Sequence, residues 1–201
     1  MPFEPRRPAP TPDVLLYRVF PYLPDAGARD PGHPLYVHPD QGFGRWDNPD
    51  LYQALYVATT ASGAIGEAFA HLSTWSQAML PFPAINGAQR MLGVYALPEE
   101  RHPLLDFDNP RSLLDRSLRP TDIVVRNRPR TQQIARDAFH EQAWSGLSWW
   151  SMHRPQWTLH MLWSIDDVAP EAVEPLDTHP AVRDAGRLLA KQLDPDLVPA
   201  T

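Results

Sequence analysis

Cysteine is absent from the 201 residues. That removes disulfides, zinc–thiolate sites, iron–sulfur clusters and a thiol nucleophile together. Long apolar runs are missing as well, so neither a membrane span nor a secretory hydrophobic segment is expected. A cytoplasmic location is the expectation that follows. Basic residues are in deficit, with 18 Lys and Arg against 24 Asp and Glu and a net charge of −6. This is a poor match to a nucleic-acid binder, whose phosphate contacts need a basic face. The common catalytic signatures fail too. Gly42-Phe43-Gly44 lacks the third glycine and the helix of a dinucleotide fingerprint, and no GxxxxGK[ST] loop occurs. Ser151 stands in Trp150-Ser151-Met152, not in a GxSxG elbow. The histidines never form HExxH, and no metal site is expected.

What is present is ordinary globular composition, 43% hydrophobic and 21% charged. A chain of this length makes one domain and hides roughly two-thirds of its unfolded surface. Two features stand out. Proline occurs 24 times and tryptophan seven, with Trp149, Trp150, Trp157 and Trp163 in one short stretch. Proline without a repeat period points to long ordered loops around a modest regular core.

Residues 1–13 carry five prolines and read as an extended arm. Val14–Phe20, Leu51–Thr59 and Arg90–Leu97 read as strands, with a Pro- and Gly-rich loop from 21 to 44. Thr60–Trp75 places Ile65, Ala68, Phe69 and Leu72 on one helical face. Residues 98–130 are loop-like with short elements, and Thr131–Ala143 is helical. Leu147–Ser151 and Trp157–Ile165 return to strand character, the latter with strict alternation of Trp157, Leu159, Met161, Trp163 and Ile165. Strands without regular βαβ alternation predict an α+β fold: a single domain with a split, mostly antiparallel β core and flanking helices. The expected division is an arm at 1–13, a domain at 14–168 and an extension at 169–201 holding one helix.

Glu67 lies off the apolar stripe of its helix, and a solvated glutamate is the bland account. Gly63 and Gly66 share its side, each costing ~1 kcal/mol relative to alanine, so something is expected to approach that backbone closely. Arg18 interrupts the apolar run Leu16-Tyr17-Arg18-Val19; alternation on a half-exposed strand is the alternative to a site. Arg45 follows Gly44 in a turn, where a surface arginine stacked on Trp46 is the dull option. Residues 111–136 hold seven arginines against two aspartates. They form either a solvated basic face or a site for a phosphate-bearing ligand or acidic partner.

In order, Leu16-Tyr17-Arg18-Val19, Gly44-Arg45-Trp46, Leu55-Tyr56-Val57-Ala58 and Ala64-Ile65-Gly66-Glu67 resemble the N-terminal half of RES-domain proteins. Thr131-Gln132-Gln133-Ile134-Ala135 and Gly146-Leu147-Ser148-Trp149-Trp150-Ser151 resemble the second half. The turn after Arg45 reads Asp47-Asn48-Pro49-Asp50, without the family's asparagine directly after the tryptophan. By this resemblance Arg45, Glu67 and Ser151 are the arginine, glutamate and serine that name the family, and Arg18 and Tyr56 take its other pocket positions. The resemblance implies an ADP-ribosyltransferase-like fold and a bacterial toxin that acts on NAD⁺ as substrate, with no separate cofactor. It also implies an Xre-type helix-turn-helix antitoxin as partner; a homodimer is left open.

Nicotinamide leaves NAD⁺ as a neutral molecule, so the expected cleavage needs no general acid. It needs guanidinium groups on the phosphates, assigned to Arg18 and Arg45, and an aromatic platform, assigned to Tyr56. A carboxylate beside the oxocarbenium-like centre is assigned to Glu67. Ser151 is expected to fix the nicotinamide-side geometry by hydrogen bonding. A protein mono-ADP-ribosyltransferase and a catalytically inert interaction module are the competing expectations.

Overall fold

Strand β1 (Val14–Tyr22) gathers the β-formers of VLLYRVFPY in the interior of a seven-stranded sheet. In the computed structural model, which describes residues 14–28 and 30–197, the chain continues through β2 (Leu55–Ala58), α1 (Ala61–Phe69), β3 (Thr74–Trp75) and β4 (Gln89–Leu97). Next come β5 (Leu104–Asp106), α2 (Pro110–Asp115), α3 (Pro120–Val124) and α4 (Arg128–His140). The last elements are β6 (Gly146–Trp150), β7 (Thr158–Leu162), β8 (Ala169–Pro175), α5 (Pro180–Leu188) and β9 (Gln192–Leu193). The Pro-rich arm of residues 1–13 lies outside the described residues.

The sheet order is β5-β6-β7-β2-β1-β4-β8, antiparallel throughout except for the parallel β5–β6 pair. The expected α+β architecture with a mostly antiparallel core is the one observed. The sheet is nearly divided in two. β1 pairs with β4 along its whole length, and β2 pairs fully with β7, but β1 and β2 meet only at Tyr17 and Ala58.

Four of the 24 prolines stand at helix starts and not in loops. α2, α3, α4 and α5 each carry a proline in the first two positions, where the missing N–H is no loss and φ is already helical. α1 starts at Thr60, whose side chain accepts from Gly63 N at 3.0 Å. It stops at Phe69, six residues short of the periodicity, because Trp75 folds back. The Trp75 indole N–H donates to Phe69 O at 3.1 Å, beside the bond that Leu72 N gives the same carbonyl at 2.9 Å.

The two faces of the sheet carry separate cores. The larger holds Trp46, Ile65, Phe69, Phe107, Leu147 and Met161 under the helices. The smaller holds Leu16, Leu55, Val57, Tyr95 and Leu162, and Leu35 and Val37 of the long loop pack on it. The alternation foreseen for residues 157–165 holds as far as Trp163 and fails at Ile165. β7 ends at Leu162, and Ile165 joins the smaller core while Trp163 stays with the larger.

The segment expected as a one-helix extension after residue 168 is built into the fold. β8 completes the sheet edge on β4, α5 packs on α1, and β9 pairs with β3. Pro170 and Pro175 hide the strand from a propensity reading, yet an edge strand tolerates residues without an N–H.

Candidate functional site

Where β1 and β2 part, the sheet opens into a cleft of about 430 Å³. Tyr17, Arg18 and Val19 line it from β1, and Tyr56 and Val57 from β2. Glu67, Arg45, Arg128, Trp149, Met152 and His153 close the remaining sides. Arg45 and Arg128 thus share the cleft with one carboxylate, Glu67, in a chain of net charge −6, while the Arg18 guanidinium is held on the smaller-core face by Tyr36 and Tyr95. Such a cleft suits an anion.

The Arg45 wall is built around Asp47. This carboxylate is 5% exposed and accepts from Gly42 N at 2.9 Å, Gly44 N at 2.6 Å and the Tyr56 hydroxyl at 2.6 Å. Gly44 has to be glycine here, since a Cβ would come within 2.3 Å of Asp47 Oδ1. Tyr56 in turn accepts from Trp46 N at 2.9 Å. Burial, followed by the neighbouring Asp47 charge, pushes the Tyr56 phenol well above its ordinary pKa. The turn is also tied to α4. Thr131 donates to Arg45 O at 2.5 Å, and Gln132 donates to Gly42 O and Gly44 O at 2.9 and 3.0 Å. Trp46 is fully buried against Phe107 and Trp149, so Arg45 is not a surface residue stacked on it.

Arg45 Nη1 donates to Ile123 O and Val125 O, both at 2.7 Å, capping the carbonyls at the end of α3. Its Nη2 lies 3.6 Å from Met152 Sδ. Half of the guanidinium is therefore committed to main chain and half is turned to the cleft. Burial lowers its pKa, the Arg128 charge lowers it further, and Glu67 and Tyr56 oppose that. Arg18 donates from Nη1 to Tyr36 O at 3.0 Å, and burial lowers its pKa against the opposing effect of Tyr95. Tyr95 holds the same loop by donating to Pro34 O at 2.8 Å.

Opposite stands Glu67, exposed on α1 at the cleft. Its Oε1 accepts from the Ser151 hydroxyl. Ser151 is fully buried, and its Oγ accepts from His153 N at 3.0 Å and Arg154 N at 3.3 Å. Two main-chain donors aim its single proton at the carboxylate. The hydrogen bond that Ser151 donates goes to Glu67. The close approach foreseen at Gly63 and Gly66 is real, but it is not made by a ligand. Trp157 fills that space, and a Cβ on Gly66 would come within 2.2 Å of its ring.

All five expected site residues thus converge on one cleft, four as lining and Ser151 from behind Glu67. Arg128, Asp47, Met152 and His153 were not singled out. Arg128 lay inside the arginine-rich stretch, which was its one signal; Asp47 showed only as a departure from the turn pattern. Among the described residues no group of His, Cys, Asp or Glu could hold a metal ion, and no helix is long and apolar enough to cross a membrane.

A family model described as RES domain matches residues 15–184. Comparison with curated proteins yields no match. Among solved structures, a chain in the crystal structure of the M. tuberculosis MbcT-MbcA toxin-antitoxin complex is similar, with a TM-score of 0.58 and 20% identity. The similarity covers 89% of this chain and 90% of that one. At that identity the likeness is one of fold.

Proposed function

This chain belongs to the RES domain family, and from that premise we propose that it is an NAD⁺-cleaving toxin neutralised by an antitoxin. The observation that carries the reading is the cleft at the sheet split, where Arg45 and Arg128 line the same space as Glu67 and Arg18 lines it from β1. NAD⁺ offers a pyrophosphate to the guanidinium side and a cationic nicotinamide riboside to the carboxylate side. The bond from ribose C1′ to the nicotinamide nitrogen breaks, and its electron pair leaves with neutral nicotinamide. An oxygen of water or inorganic phosphate then bonds to C1′, water releasing one proton. Glu67 stabilises the positive charge that develops at C1′, an electrostatic role that a carboxylate of fixed position performs best. Ser151 supplies that fixity. The Tyr56 ring lines the cleft while its hydroxyl stays engaged with Asp47 and Trp46 N, so it serves as a platform and not as an acid.

The partner in this reading is a small antitoxin of the Xre helix-turn-helix type; the solved structure of similar fold is itself a toxin–antitoxin complex. Incubation of the pure protein with NAD⁺, followed by chromatography with and without phosphate, tests the reaction and identifies the acceptor. Free nicotinamide accumulates if the reading holds. Nicotinamide no higher than in a heat-inactivated control overturns it, and ADP-ribose found on protein instead of in solution replaces hydrolysis by transfer.

A further inference from the structure

The three arginines that line the cleft are not equivalent. Arg18 has Nη1 on Tyr36 O, and Arg45 has Nη1 on two carbonyls of α3. The Arg128 side chain, at the first turn of α4, makes one hydrogen bond among the described residues, from Nε to Phe43 O at 3.0 Å. Its Nη1 is covered by protein and has no hydrogen-bond partner. No carboxylate forms an ion pair with it among the described residues, although Arg130, two positions on, reaches Asp122. A guanidinium nitrogen removed from water without a partner is unfavourable, and a second cation nearby makes it more so. Arg45 is that second cation, close enough for the Arg128 charge to disfavour its own. The pair is relieved together when an anion with several oxygens enters the cleft.

Arg128 is also held in place. Its one bond fastens it to the turn whose amides Asp47 gathers, and Gln132 of the same helix fastens that turn again. A fork held through Nε and left without a partner at Nη1 is a preorganised oxyanion holder. We propose that Arg128 grips the pyrophosphate of the dinucleotide, an inference that rests on the reading of the cleft as an NAD⁺ site and deepens it. Arg45 then braces α3 and contributes one face of its guanidinium, while Arg128 makes the cleft select a dinucleotide over a nucleoside.

Calorimetric titration of the full chain and of Arg128→Gln and Arg128→Lys with ADP-ribose, inorganic pyrophosphate and nicotinamide riboside tests this. Arg128→Gln weakens ADP-ribose and pyrophosphate about ten- to a hundredfold and nicotinamide riboside less than about twofold. Arg128→Lys recovers part of the loss, since it keeps the charge and drops the fork. If Arg128→Gln melts early, Arg128→Lys carries the test, with ADP-ribose weakened at an unchanged melting temperature. Unchanged ADP-ribose affinity overturns the proposal. So does an equal loss for nicotinamide riboside, which would mean that Arg128 only props the Phe43 turn. Pyrophosphate held in an Arg128-dependent way by a protein that ignores ADP-ribose keeps the phosphate grip and overturns the NAD⁺ reading.

Discussion

Asp47 and Glu67 are two carboxylates serving one cleft, and they are built in opposite ways. Asp47 is buried, and its oxygens take two amide protons and a phenol proton. Glu67 is exposed and accepts from a single side chain, Ser151. A carboxylate whose acceptor sites are mostly taken by its own protein has little left for a ligand and acts as a clamp on the chain around it. One fixed by a single hydroxyl keeps its charge and its remaining lone pairs for whatever occupies the cleft. Of two acids near one tyrosine and one arginine, the better-bonded one is the less suited to chemistry.

Removing the clamp has the largest expected effect. Asp47→Ala strands the amides of Gly42 and Gly44 and the Tyr56 hydroxyl, and is expected to cost ~3–4 kcal/mol in urea unfolding, with ligand binding lost as well. Loss of stability below ~1 kcal/mol would show that the turn is held from α4 by Thr131 and Gln132 instead.

Glu67→Gln is expected to do the reverse. Stability stays within ~0.5 kcal/mol of wild type, and NAD⁺ binding is retained. Turnover falls ~100-fold or more, about 2.7 kcal/mol in the barrier, because the amide keeps the shape and removes the charge. Ser151→Ala leaves the charge and frees its orientation, so turnover falls less, about tenfold. Single-turnover assays beside melting curves separate the two effects. A folded Glu67→Gln protein with full NAD⁺ cleavage would move the chemistry to another group.

How much of this contrast was legible follows from what each carboxylate touches. Glu67 sits in a recognisable sequence neighbourhood, Ala64-Ile65-Gly66-Glu67, and its partner Ser151 ends a second one. Asp47 is held chiefly by main-chain amides, which every residue carries and no sequence marks. The same limit hid what fills the space at Gly66. A missing Cβ announces a close approach, yet the sequence does not say that Trp157, some ninety positions on, makes it. Strand β1 was legible because β-branched and aromatic residues crowd it, and β4 because Met91–Leu97 carries no charged side chain. β8 was not, because Ala-Pro-Glu-Ala-Val-Glu-Pro has edge-strand composition and borrows its structure from β4. Helix α1 was read too long for a related reason: its end is set by the buried Trp75, which the apolar periodicity counts as one more helical position.

The smallest effect concerns alkaline pH, and of the two carboxylates it involves Asp47 and not Glu67. Tyr52, buried beside that turn, donates to Trp46 O at 2.5 Å and accepts from Asn48 Nδ2 at 3.0 Å. Burial pushes its phenol up to about 12, and the Asp47 charge adds to the rise while Asn48 and Arg136 oppose it. In the unfolded chain a tyrosine ionises near ~10. The folded protein therefore keeps a proton that the unfolded chain sheds. The stability this proton contributes is complete below pH ~10 and is lost as pH rises toward about 12. At pH ~10.5 the loss from one such tyrosine is about 1 kcal/mol. Tyr95, likewise raised to about 12 by burial, adds its own share. Tyr52→Phe lacks the Trp46 bond at every pH, so it starts less stable, but its urea midpoint should fall less than wild type's between pH 8 and 10.5. Glu67→Gln should follow the wild-type curve throughout. Parallel curves for wild type and Tyr52→Phe would mean that Tyr52 ionises in the folded protein as readily as in the unfolded one, and that the clamp around Asp47 admits water.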